Sequence, residues 1–144
     1  MTVLLEISDL HLDYAGAGLP AQVLRGINLT AAAGEVVGIV GESGCGKSTL
    51  ALAMMGLLPR NAVVKSGSVR VAGQEILTAP PAAQRGLRGR GIAMIFQDPM
   101  TAFNPVVTLG QQLVDFQQSL GLSRAERQAR AAQMLDREIG RAHV

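Results

Sequence analysis

Cysteine is nearly absent, with Cys45 alone among 144 residues. A single thiol closes no internal disulfide, so a disulfide-stapled secreted scaffold is excluded and a reducing cytosol is the expected home. An excess of one charge is lacking too. Thirteen basic side chains stand against eleven acidic ones, and a net +2 is too small a surplus to argue for a nucleic-acid partner. Long hydrophobic runs are missing, because Glu35, Glu42 and Pro59 break the apolar stretches before they reach the roughly 18 residues of a membrane span. The amino terminus carries Glu6 and no early basic residue, which does not read as a secretory leader. What is present is 48% apolar and 17% charged, a composition able to bury a core. It predicts a soluble α/β domain.

Val3 to Leu12 reads as a strand with Leu5 and Ile7 on one face and Glu6 and Ser8 on the other. Gly16 and Gly18 mark a loop, and Gln22 to Leu29 a second strand. The run E-V-V-G-I-V at Glu35 to Val40 suits a central parallel strand covered on both faces. A helix is expected from about Lys47 to Leu58, stopped by Pro59, then a short strand from Ser66 to Val71 before a turn at Gly73. Pro80 and Pro81 open an expected loop holding Arg85, Arg88 and Arg90, and Ile92 to Phe96 is a further buried-strand candidate. Leu109, Leu113, Phe116 and Leu120 share one helical face. Ser123 with Glu126 forms a capping box that starts another helix, supported by the Glu126–Arg130 pair.

Gly41 to Thr49 reads G-E-S-G-C-G-K-S-T, which satisfies G-x-x-x-x-G-K-[ST] between an apolar run and a helix. Polyphosphate is bound by backbone N–H groups that must approach closely, and Gly41, Gly44 and Gly46 allow that approach. Glu42, Ser43 and Cys45 complete the loop, and the following helix points its positive end at the same anion. Lys47, one of only two lysines, is expected to reach the β- and γ-phosphates. Ser48 is the expected Mg²⁺ ligand, so ATP and Mg²⁺ are the expected cofactors.

Val23 to Leu58 resembles the first half of an ATP-binding cassette, or ABC, ATPase. The segment I-A-M-I-F-Q-D-P-M-T-A-F-N-P at Ile92 to Pro105 resembles the Q-loop region of the subfamily that energises dipeptide, oligopeptide and nickel importers. With D-L-H-L-D-Y near the amino terminus, the resemblance covers about Val3 to Arg137. Phe103 stands where that family more often has leucine. The resemblance implies a P-loop NTPase core with an amino-terminal antiparallel β subdomain, incomplete at the carboxyl end. Tyr14 falls where the family stacks an aromatic ring on adenine, and Gln97 matches the glutamine that joins the Mg²⁺ shell and senses the γ-phosphate. Lys47 and Gln97 are thus the implied catalytic residues, and Ser48 and Gln97 the implied metal ligands. The segment Asp98 to Pro105 is expected to meet transmembrane permease subunits at the cytoplasmic face of the membrane, and a second ABC subunit is expected as partner.

A rival reading makes Ile92 to Asp98 a Walker B strand with Asp98 on Mg²⁺. The intervening Gln97 and the following Pro99 oppose it, because alternation along a strand would turn the acid away from the site. Arg85, Arg88 and Arg90 read as solvated surface, without the interleaved aromatics of a nucleic-acid patch. Met54 and Met55 read as core filling. Cys45 reads as a small loop residue. His11 and His143 have no partner at metal-ligand spacing.

No L-S-G-G-Q signature, no Walker B followed by Glu and no switch histidine is present. Residues 1–137 are therefore expected to be the amino-terminal half of the ABC ATP-binding domain, able to bind nucleotide and to hydrolyse it poorly. Residues 138–144 are expected to be a non-native tail. Ile139 to Val144 can be encoded by ATC-GGA-AGA-GCA-CAC-GTC, the start of a common sequencing-library adapter. A non-catalytic nucleotide-binding module and a non-transport ABC ATPase remain the alternatives.

Overall fold

Two twelve-residue strands, β1 (Val3–Tyr14) and β2 (Ala21–Ala32), pair antiparallel across the glycine-bearing loop between them. β3 (Ala62–Val71) lines the other edge of β1, and β4 (Gln74–Glu75) follows β3, giving an antiparallel sheet in the order β2-β1-β3-β4. Ala72 and Gly73, both at positive φ, make the two-residue turn into β4. The computed structural model describes residues 2–98 and 103–139. The chain divides into two compact units, Met1–Met94 and Ile95–Val144.

The expected alternation along β1 holds only as far as Ile7. At Asp9, where φ is +45°, pairing with both neighbouring strands shifts register. This bulge brings even-numbered Leu10 and Leu12 into the same buried core as odd-numbered Ile7. Gly67 is required opposite it, because φ is +93° there and a Cβ would lie 2.6 Å from the Asp9 carbonyl carbon.

Ile7, Leu10, Leu12, Leu24, Val69, Val71 and Ile76 form the core with Leu50 and Ala53 of α1 (Lys47–Met54). Full burial of each large aliphatic is worth roughly 1.5–3 kcal/mol, so the sheet fixes α1 firmly by its apolar face. Met55 is buried and Met54 packs against the core, as expected. α1 is shorter than the sequence suggested and ends before Pro59. Gly56 (φ +61°) closes a Schellman cap in which Gly56 N donates to Ala53 O and Leu57 N to Leu52 O.

Three further expectations need correction. Residues 81–87 are not loop but a helix, α2 (Pro81–Leu87), with Pro81 supplying the preset φ of a first turn. Glu35–Val40 and Ile92–Phe96 are not strands. No described residue pairs with 35–40, and the only bridge in 92–96 joins Ile92 to Arg88. Val36 is 96% exposed and Ile95 93%. Apolar content makes a strand only where a neighbour takes its N–H and C=O groups, and here the paired strands use one another's edges.

In the second unit, α3 (Leu109–Asp115), a 3₁₀ turn (Gln118–Leu120) and α4 (Arg124–Ile139) follow one another. The face expected from Leu109 to Leu120 is interrupted at Phe116, and Leu109 and Phe116 are exposed. Gln112 and Val114 are buried in its place, as is Ala131 of α4. The capping box forms as expected: Ser123 N donates to Glu126 Oε2 at 2.8 Å, and Glu126 N donates to Ser123 Oγ at 3.3 Å. Residues 99–102 of the expected permease-facing segment, and 140–144 of the expected tail, lie outside the described residues. No described helix is long and apolar enough to cross a membrane.

Candidate functional site

The loop Gly41–Gly46 enters α1 through Gly46, the residue before the first helical turn, at φ +98°. A Cβ there would lie 3.0 Å from Leu24 Cδ2 and 3.1 Å from Val23 O, so glycine is required both for conformation and for space. Gly44 also takes a positive φ, of +81°. Gly41 serves differently: a Cβ on it would meet Cys45 Sγ at 2.8 Å. Gly44 and Gly46 are thus required by backbone conformation, whereas Gly41 meets only a side-chain end that can move.

Lys47 folds its ammonium back over the loop, donating to Gly41 O at 2.8 Å and Glu42 O at 2.6 Å, with Cys45 Sγ at 3.5 Å. Cys45 N donates to Glu42 O at 3.3 Å. Glu42, Ser43, Cys45 and Ser48 are exposed, whereas Thr49 is buried. The first amides of α1 have no carbonyl one turn earlier, which makes this end of the helix electropositive. The loop is therefore a glycine-lined cradle with a cation folded over it, a donor set suited to polyphosphate. Ser48 adds a free-standing hydroxyl suited to a hard cation.

Tyr14, at the end of β1, comes to the same helix. Its hydroxyl lies 3.1 Å from Thr49 Oγ1, and the ring is half-buried. Gln97 belongs to the second unit and is exposed, as is Asp98. Among the described residues no three His, Cys, Asp or Glu side chains gather to hold a metal ion.

Sequence reading missed Arg88 by treating Arg85, Arg88 and Arg90 as one solvated group. Its Nε donates to Met55 O at 2.9 Å and its Nη2 to Gly56 O at 2.8 Å, at the end of α1 remote from the phosphate loop. Arg85, on the neighbouring turn, is exposed. Gln112 was missed as well. It is buried and accepts from Asn104 N at 2.8 Å while donating to Asn104 O at 3.0 Å and Val107 O at 2.8 Å. Arg88 had no sequence signal beyond its position seven residues after Pro81. Gln112 sits one residue before the expected Leu113 face, where a polar residue reads as solvent-facing.

The family model described as ABC transporter matches residues 24–143. The chain belongs to the ABC transporter family. This ABC chain is 44% identical over 135 residues to the oligopeptide transport ATP-binding protein OppD of Salmonella typhimurium, covering 93% of itself and 40% of that protein. It is 44% identical over 140 residues to the OppD of Mycobacterium tuberculosis, covering 94% of itself and 22% of that protein. It is 40% identical over 134 residues to the probable D,D-dipeptide transport ATP-binding protein DdpD of Escherichia coli, covering 92% of itself and 41% of that protein. The ABC chain thus spans less than half of each of these relatives' lengths. Among solved structures it is similar to the ATP-binding cassette MJ0796 in a dimeric post-hydrolysis state bound to ADP and Pi. The TM-score is 0.73 at 21% identity, over 92% of this chain and 56% of that one. That likeness establishes the ABC ATPase fold, and the antiparallel sheet β2-β1-β3-β4 is present here.

Proposed function

We propose that the ABC chain binds MgATP at Gly41–Thr49 and serves as an ATP-hydrolysing subunit that energises import of peptides or nickel. The observation that carries this reading is the folded-back Lys47 over a glycine-lined loop at the positive end of α1. Backbone amides of Gly44 and Gly46 to Thr49 would hold the phosphates. Lys47 would exchange two carbonyl partners for β- and γ-phosphate oxygens, a charge-assisted pairing about twice as strong as a neutral one. The Ser48 hydroxyl would hold Mg²⁺, joined by Gln97, and the bound ion would neutralise charge between the terminal phosphates.

Tyr14 would offer its ring face to adenine while its hydroxyl is steadied by Thr49. Gln97 and the segment after it would report occupancy to transmembrane permease subunits, at the cytoplasmic face of the membrane. A second ABC subunit would complete the ATPase. The similarity to oligopeptide and D,D-dipeptide transport proteins favours peptides over nickel.

Titration of the chain with a fluorescent ATP analogue, with and without Mg²⁺, tests this reading. Unlabelled ATP should displace the probe and adenosine should not, because the phosphate loop supplies most of the binding. Displacement by adenosine as effective as by ATP would sink the reading.

A further inference from the structure

The phosphate-loop helix is held at both ends. At its carboxyl end the Schellman cap satisfies Leu52 O and Ala53 O, and Met55 N donates to Ala51 O. The carbonyls of Met55 and Gly56 are left over, and the Arg88 guanidinium takes both at 2.9 and 2.8 Å. A cation there also opposes the negative end of the helix dipole. Arg88 Nη2 reaches Gln84 Oε1 at 3.3 Å, and Gln84 Nε2 in turn donates to Ile76 O at 2.9 Å and Ala79 O at 3.2 Å. Gly56 is needed at this junction, since a Cβ would lie 3.1 Å from both Gln84 and Ile76 Cγ2.

The main chain of Arg88 leaves α2, its N–H still donating to Gln84 O at 3.3 Å. It bridges Ile92, and the turn between them is closed by Gly89 N to Ile92 O at 2.8 Å and Ile92 N to Leu87 O at 3.1 Å. Five residues beyond Ile92 the chain reaches Gln97. Arg88 therefore grips the far end of the phosphate-loop helix with its side chain, and it sits between Leu87 and Gly89, whose main-chain groups hold the turn at Ile92.

We infer that Arg88 is a positioning residue that transmits occupancy of the phosphate loop through α1 to the Leu87–Ile92 turn. The inference rests on the MgATP reading above and adds to it the path by which binding is registered outside the loop. A short helix seated on the core by Leu50 and Ala53 responds as a unit, so ordering its first turn reduces fluctuation at its last. The fork geometry of arginine matters, because two carbonyls on successive residues need two aligned donors.

Hydrogen–deuterium exchange of the 144-residue chain, with and without MgATP, tests it. In the wild-type chain MgATP should slow exchange in residues 41–50 and also in residues 84–92. Arg88→Met keeps the apolar stem and removes the donors. It should retain the slowing at 41–50 and lose that at 84–92. Arg88→Lys, which reaches one carbonyl at a time, should retain only part of it and serves if the methionine variant does not fold. Wild-type-like slowing at 84–92 in either folded variant, or none there in the wild type, overturns the inference. An absence of slowing at 41–50 in the wild type overturns the MgATP reading itself, which is a separate outcome.

Discussion

The hydroxyl of Tyr14 lies 3.1 Å from Thr49 Oγ1, joining the end of β1 to the first turn of the phosphate-loop helix. Thirty-five residues separate the two in sequence, and neither motif nor periodicity announces the bond. It pins the hydroxyl end of a ring that is half-buried against the core.

The hydrogen bond of that tyrosine and its proposed stacking on adenine can be separated. Tyr14→Phe keeps the ring and removes one hydrogen bond, which should cost about 1 kcal/mol of stability and leave ATP affinity within about twofold. Tyr14→Ala removes the stacking surface and should weaken ATP binding by about 1–3 kcal/mol, roughly 5- to 150-fold. Thermal unfolding and nucleotide titration of both variants check this, and equal affinities in the two would remove adenine stacking from the account.

The glycines of the loop should differ in cost. Gly46→Ala places a Cβ 3.0 Å from Leu24 at φ +98°, and should destabilise by about 2 kcal/mol or more. Gly44→Ala meets nothing within 4 Å at φ +81°, and should cost about 1 kcal/mol from backbone strain alone. Denaturant midpoints of the two variants give the order directly.

This contrast also marks how far the sequence was legible. The G-x-x-x-x-G-K-[ST] spacing located the loop, its lysine and its helix, because each position answers a local demand of backbone or charge. The Ser123–Glu126 box was equally legible, being complete within four residues. Apolar runs misled at Val36 and Ile95, since a strand depends on a neighbour that its own residues do not encode. The Asp9 bulge reversed the face of β1 beyond Ile7 through a single positive φ. Arg88 was opaque for a different reason: its partners are main-chain carbonyls more than thirty residues away, which carry no side-chain signature.

The start of α4 should be sensitive to acid. Hydrogen bonds from Ser123 Oγ and from its backbone N–H hold the Glu126 carboxyl below its ordinary value. A carboxyl depressed in the folded state contributes stability above its unfolded pKa, about 4.3, and loses it as pH falls through the folded one. Helicity of α4 should therefore decline in that acid window, and Ser123→Ala should move the decline to higher pH. A circular-dichroism titration that is identical in both proteins would contradict this.

Gln112 should matter more than its less buried neighbours. It is buried with three hydrogen bonds to Asn104 and Val107, so Gln112→Leu should cost about 2–3 kcal/mol by orphaning those main-chain groups. Amide exchange at Asn104, whose N–H Gln112 accepts, should accelerate, whereas Gln118→Leu, at an exposed position, should leave it unchanged.

Central to the account is that Gly41–Thr49 is a phosphate site whose cation is Lys47. Isothermal titration with MgATP of the wild-type chain and of Lys47→Ala, both shown folded by circular dichroism, tests it most directly. The account predicts at least a tenfold loss of affinity, about 1.4 kcal/mol, when the ammonium is removed. Equal affinity in the two folded proteins would contradict it.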